Sequence, residues 1–160
     1  MSLTKADAKD IPAIMEIVED AKKYMHDKGI PQWINGYPDE ETFLENISSN
    51  CLYVYKEGEE ILAVLAVKEY EPTYEYIEGK WLHDDPYIVI HRMAVKDRRK
   101  GQGIAGKVFE ELKRENPHIR IDTHEKNASM KRCVLKNGFV YCGVIYLEDG
   151  SPRNAYEYHR

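Results

Sequence analysis

The sequence predicts an α/β domain on a mixed sheet. Extended segments come first as a meander, they then alternate with helical segments, and no repeat, low-complexity tract or composition break divides the chain. A first strand is expected over residues 1–6. Asp10 is placed to cap a helix with Pro12 in its first turn, where the missing N–H costs nothing. Ile11, Ile14, Met15, Val18, Ala21 and Met25 follow at helical spacing, and Gly29 is suited to close that helix. Pro38 and Asp39 open a second helix carrying Phe43, Leu44 and Ile47.

The period then changes. Residues 52–55 and 61–70 read as two strands of a hairpin turning at Gly58, and residues 71–86 as an irregular stretch rich in tyrosine and glutamate. A strand over 87–95, a helix over 103–115, a strand over 119–124 and a helix over 127–136 follow, the last ending at Asn137 and Gly138. Residues 139–147 and 153–159 form a closing hairpin around Gly150.

At 160 residues and 18.7 kDa the chain is one domain's worth, long enough to bury a core without staples. Residues 1–160 are therefore read as a single domain. With 42% hydrophobic and 32% charged residues it is not a disordered chain. Its longest apolar stretch, residues 61–67, is far short of the ~20 that cross a bilayer. The first ten residues have no apolar signal core, so a cytoplasmic address and no membrane partner are expected. Three cysteines without CxxC spacing (Cys51, Cys133, Cys142) argue against a disulfide framework or a zinc site, and no metal is expected. A net charge of −5 argues against generic nucleic-acid binding.

The charge is uneven. Between residues 88 and 112 a strand leads through a basic loop into glycines that open a helix. Within residues 92–107, Arg92, Lys96, Arg98, Arg99, Lys100 and Lys107 stand against Asp97 alone. The first N–H groups of a helix have no internal partners, the helix dipole adds positive potential, and glycine lets the backbone come close. That construction suits a phosphate; the basic run by itself is equally a solvated turn before an amphipathic helix.

Gly101, Gly103 and Gly106 also spell GxGxxG, with Asp122 about 20 residues further on, as in dinucleotide-binding folds. Against a nicotinamide cofactor, five charged residues (96–100) separate Val95 from Gly101, where that fold needs a tight turn, and too few residues follow for its remaining strands.

The segment Arg98-Arg99-Lys100-Gly101-Gln102-Gly103 resembles the acetyl-CoA signature Arg/Gln-x-x-Gly-x-Gly/Ala of the GNAT (GCN5-related) N-acetyltransferases. The Met93-Ala94-Val95 strand end, Ile104-Ala105 entering the helix, Asn127, the Lys136-Asn137-Gly138-Phe139 ending and the order of elements over nearly the whole chain match as well. The resemblance implies a mixed, mostly antiparallel sheet flanked by helices, with a splayed strand pair forming the acetyl-CoA cleft. It implies an acetyl-CoA-dependent N-acetyltransferase that passes the acetyl group directly to a bound amine. Met93, Ala94 and Val95 would bond the pantetheine arm. Main-chain groups around Arg98, Arg99, Lys100, Gly101, Gln102, Gly103, Ile104 and Ala105 would hold the pyrophosphate, and Asn127 would reach the arm from the far side. The Met93 amide would face the thioester carbonyl, a placement suited to charge developing on that oxygen.

An alkylammonium acceptor has a pKa of about 10 and must lose a proton before it attacks. His91 is the first choice of base; strand alternation puts it on one face with Val89 and Met93, and one branch of the family carries a histidine on the same strand. The other reading of His91 is structural. Glu69 and Glu71 are alternative bases acting through water, while Asp122 and His124 would orient the helix at Asn127. The tyrosine acid of many family members is replaced by Val134, beside Cys133.

Twelve tyrosines stand against three phenylalanines, and Tyr70, Tyr74, Tyr76 and Trp81 interleave with Glu69, Glu71, Glu75 and Glu78. Carboxylates among aromatic faces suit a cation, so Tyr70, Glu71, Tyr74 and Trp33 are assigned to the acceptor, a small-molecule or peptide amine; surface tyrosines, and Trp33 as a cap on the core, are the alternatives. A homodimer is compatible with this reading. The competing functions are an acyl-CoA sensor with little turnover and a nicotinamide-dependent oxidoreductase.

Overall fold

A computed structural model describes every residue except Met1, Asp97, Arg98 and Lys100. The chain resolves into two compact units, Met1–Val67 with His91–Val108, and Lys68–Ile90 with Phe109–Arg160. Among the described residues, eight strands and four α-helices make a mixed, mostly antiparallel α/β fold.

In the first unit, β1 (Ser2–Lys5), β2 (Leu52–Glu57) and β3 (Glu60–Lys68) are antiparallel neighbours, and β5 (Ile88–Val95) borders β3. Every residue from Ile61 to Ala66 is buried, so β3 is covered on both faces and reads as a continuous apolar run rather than an alternating one. Helix α1 (Ile11–Asp27) buries Ile11, Ile14, Val18, Ala21 and Met25 of the expected stripe, with Ile17 buried in addition and Met15 only half-buried. Gly29 ends it at φ 68°, its N–H donating to the His26 carbonyl. Helix α2 (Glu40–Ser48) is capped by Asp39, which accepts from the Thr42 N–H at 2.9 Å. Ile14, Val18, Phe43, Leu52, Val54 and Val64 share one core.

The expected Asp10 cap is corrected. A 3-10 turn (Ala8–Asp10) precedes α1; the Asp7 carboxylate accepts from the Lys9 N–H and the Asp10 carboxylate from the Asp7 N–H, so Asp10 makes no cap bond to α1. Two aspartates three residues apart both fit the cap pattern, and the reciprocal pair satisfies more orphan donors than one cap would. Leu44 is exposed on α2, where the buried neighbours of Phe43 are Asn46 and, in part, Ile47.

In the second unit the order is β5, β6 (His118–Thr123), β8 (Pro152–His159), β7 (Val140–Tyr146), β4 (Glu78–Gly79). β5 and β6 are parallel through three pairs, Ile88 with Ile119, Val89 with Arg120 and Ile90 with Ile121, whereas β6 and β8 pair antiparallel over six. Helices α3 (Ile104–Glu115) and α4 (Ala128–Lys136) complete the set; the Phe109 and Phe139 rings meet at 5.1 Å. Residues 71–86, expected to be irregular, hold a 3-10 turn (Pro72–Tyr74) and the short β4. β4 owes its place to a backbone contact: a Cβ on Gly79 would meet the Cys142 carbonyl oxygen at 2.2 Å, and one on Gly143 the Glu78 carbonyl oxygen at 2.2 Å.

Candidate functional site

The glycine loop lies in the first unit. The Lys96 N–H donates to the Leu62 carbonyl at 2.8 Å, tying the end of β5 to β3, and the Arg99 N–H donates to the Lys96 carbonyl at 2.9 Å. Gly101 and Gly103 follow at φ 81° and 74°, and a Cβ on either would meet nothing within 4 Å. Glycine is needed here for left-handed backbone, and the side where a side chain would stand is open. Ile104, buried, anchors the start of α3, and the Lys107 N–H donates to the Gly103 carbonyl. Gln102 is exposed and Ala105 half-buried. The main-chain donors of the first helical turn thus follow directly on a left-handed Gly-Gln-Gly turn, an arrangement suited to an anion.

The cations of this segment are not left facing Asp97 alone. Arg99 pairs with Glu57 at 2.6 Å and Glu60 at 3.4 Å, and its Nε donates to Gln102 Oε1. Lys96 pairs with Glu60 at 3.0 Å. Arg92 donates through Nε to Tyr37 Oη at 2.8 Å and through a terminal nitrogen to Asn46 Oδ1 at 3.3 Å. The β2–β3 turn therefore supplies carboxylates that the local sequence does not reveal. The expectations for Arg98 and Lys100 lie outside the described residues.

On β5, Met93 and Ala94 are buried, while His91 and Val95 are half-buried. Strict alternation does not carry through the strand: Arg92 has φ 52°, a left-handed residue inside β5 that turns the main chain between His91 and Met93. The expectation that Val89, His91 and Met93 share one face is corrected at that point. The adjoining loop, residues 31–39, carries Trp33, half-buried against the core cluster of the first unit.

The other assigned residues belong to the second unit. Glu69 and Tyr70 are exposed. The Glu71 carboxylate accepts from the Thr73 N–H and hydroxyl at 3.1 and 3.0 Å, capping the 3-10 turn. Tyr74 is buried against Trp81 and Tyr87, and its hydroxyl donates to Asp122 at 2.6 Å. Burial first, then the Asp122 charge, push that phenol well above its ordinary value, so it remains a donor. His124 Nδ1 accepts from the Lys126 N–H, and Asn127 Oδ1 accepts from the Met130 N–H at 3.2 Å as the cap of α4. Val134 is fully buried, and burial pushes the neighbouring Cys133 thiol up, which disfavours a nucleophilic thiolate. Among the described residues no helix is long and apolar enough to cross a membrane.

Residues 13–139 match the Acetyltransferase (GNAT) family. The structure is similar to that of a GNAT-family acetyltransferase from Streptococcus agalactiae (32% identity, TM-score 0.92, covering 99% of this chain and 95% of that one). It also resembles, in fold, a Salmonella typhimurium acetyltransferase that modifies the N-terminal serine of ribosomal protein L7/L12 (19%, 0.70, 99% and 94%). A third similar fold is a putative acetyltransferase from the same organism with its cofactor acetyl-CoA (15%, 0.65, 99% and 92%). No curated protein sequence matches. The chain belongs to the GNAT acetyltransferase family and is an acyltransferase.

Proposed function

We propose that this enzyme transfers an acetyl group from acetyl-CoA to an amine, by direct attack with both substrates bound. The observation that carries the reading is the left-handed turn at Gly101 and Gly103, open where a Cβ would stand, opening α3 directly after β5. A diphosphate fits such a cradle of main-chain donors. The family match draws on both units, which supports reading residues 1–160 as one acetyltransferase domain.

Acetyl-CoA supplies the acyl group as an activated thioester. The main chain of Met93, Ala94 and Val95 is assigned to its arm, with Asn127, and the turn from Arg99 to Ala105 to its phosphates. The Met93 N–H is assigned to the carbonyl oxygen as negative charge develops there, and the left-handed Arg92 sets the direction of that N–H. His91 takes the proton from the attacking amine, with Glu69 acting through water as the alternative base. Holding both reactants in one place supplies much of the acceleration. Trp33, Tyr70, Glu71 and Tyr74 are assigned to the acceptor; Tyr70 is the most exposed of these and Tyr74 is buried.

The acceptor is a small-molecule or peptide amine. Turnover is read as CoA thiol released from acetyl-CoA across an amine panel that includes peptide N-termini, beside thermal shifts with CoA, acetyl-CoA and NAD. Amine-dependent thiol release, and stabilisation by CoA exceeding that by NAD, is the expected result. Tight CoA binding with no amine-dependent release favours the sensor, a reading to which the buried Val134 lends weight.

A further inference from the structure

The second unit carries a group of histidines and carboxylates that acyl transfer does not use: His83, Asp85, His118, Glu157 and His159. His118, fully buried at the start of β6, has both ring nitrogens against oxygens. Nε2 lies 2.5 Å from Glu157 Oε1, and Nδ1 lies 3.0 Å from the Asp85 carbonyl oxygen and 3.6 Å from Asp85 Oδ1. His159, at the end of β8, is built alike. Its Nδ1 is 3.0 Å from the Arg160 main-chain oxygen, and its Nε2 is 2.9 and 3.1 Å from the two Asp85 carboxylate oxygens.

An imidazole nitrogen either donates a proton or offers a lone pair. With protons on His118 Nδ1 and His159 Nε2 the group is closed by hydrogen bonds to the main-chain and carboxylate oxygens of Asp85. With those protons gone, the same two nitrogens and the Asp85 carboxylate offer three lone pairs that converge on one place. The carboxylate behind His118 and the main-chain oxygen behind His159 are the supports that orient imidazole ligands in metalloproteins.

We propose that Asp85, His118 and His159 form a metal site for a late first-row divalent cation of the zinc type, with Glu157 orienting His118. Two imidazole nitrogens and a carboxylate, their ligand atoms within 4.8 Å of one another, suit such an ion, and the half-exposed Asp85 gives it a path from solvent. The His83 ring, stacked on His159 at 3.8 Å between centroids, shields one side. The ion ties the segment before β5 to the first residue of β6 and the last of β8. The expectation of no metal rested on cysteine spacing, and this set contains no cysteine.

The test titrates chelator-treated, folded protein with ZnCl2 by calorimetry and with CoCl2 by visible absorption. One ion per chain is expected, with cobalt bands lacking thiolate-to-metal absorption, and saturating zinc raising Tm by roughly 5 °C. His159→Ala and the isosteric Asp85→Asn, both at the surface, should each weaken binding at least tenfold, and Glu157→Gln by about ten- to a hundredfold. His26→Ala, an exposed histidine of α1, should leave it unchanged. Absence of saturable uptake by the folded wild-type chain overturns the proposal. So does uptake that survives in His159→Ala and Asp85→Asn, or cobalt bands of thiolate type.

Discussion

Arg99 lies 2.6 Å from Glu57, and Glu60 receives both Arg99 and Lys96. The loop that looks cationic in sequence is held partly neutral by the β2–β3 turn. Any anion gripped there competes with two carboxylates for the same guanidinium and ammonium groups. Glu57→Gln with Glu60→Gln is therefore expected to raise CoA affinity a few-fold at low salt and to steepen its salt dependence. Fold stability should move by no more than about 1 kcal/mol, since the pairs are partly solvated. Calorimetry at two ionic strengths reads the effect; weaker CoA binding in the double variant would contradict it.

Gly103 offers two substitutions that separate strain from obstruction. Gly103→Ala forces a side chain into left-handed backbone, a cost of about 1–2 kcal/mol in stability, while its methyl group enters open space. Gly103→Asp adds a negative charge beside the donors of α3 and should weaken CoA binding at least about a hundredfold. Equal affinity loss in the two variants would show that conformation alone matters.

If His91 is the base, His91→Ala should lower kcat/KM by about 10²–10⁴. Added free imidazole should restore part of the lost rate, since it replaces the missing base. Steady-state rates with and without it decide the matter; no rescue removes His91 from proton transfer and leaves Glu69.

Tyr74→Phe deletes the hydroxyl that donates to Asp122. Hydrogen bonds to a charged group contribute about 1.5–3 kcal/mol, so the variant should unfold several degrees lower while its CoA affinity holds. Differential scanning calorimetry and a CoA titration check both halves.

His124 adds a pH dependence of defined sign. Burial foremost, then Arg153, lowers its pKa in the folded state, so the unfolded chain binds the extra proton first. The stabilising contribution is complete above the unfolded value of about 6.5 and is lost as the pH falls through the lower, folded one. His124→Asn keeps an acceptor for the Lys126 N–H without the titration. Denaturant unfolding between about pH 7 and 5 should give a flatter stability curve for the variant than for the wild type.

What could be read from the letters alone was whatever depends on near neighbours. The stripe from Ile11 to Met25, the stop at Gly29, the hairpin at Gly58 and the strand–turn–helix around Gly101 all have periods or dihedral demands that announce themselves locally. β4 was missed because two residues have no period; it exists through its backbone contact with β7, sixty-odd positions away. Arg92 was read as an ordinary strand residue because arginine gives no sign of φ 52°. The partners of Arg99 were missed because ion pairing follows the path of the chain in space. Asp122 fits the dinucleotide-motif spacing and a place beside Asn127 in the sequence, whereas its bond to Tyr74 joins residues 48 positions apart.

The reciprocal contact of Gly79 and Gly143 makes them a joint requirement. Neither can gain even a methyl group while the other's neighbours stay put. A saturation scan should show Gly79 as an intolerant column among exposed neighbours and Gly143 as another beside the buried Cys142. A change at one would not be rescued by a change at the other, because what each meets is main chain, which no substitution can trim.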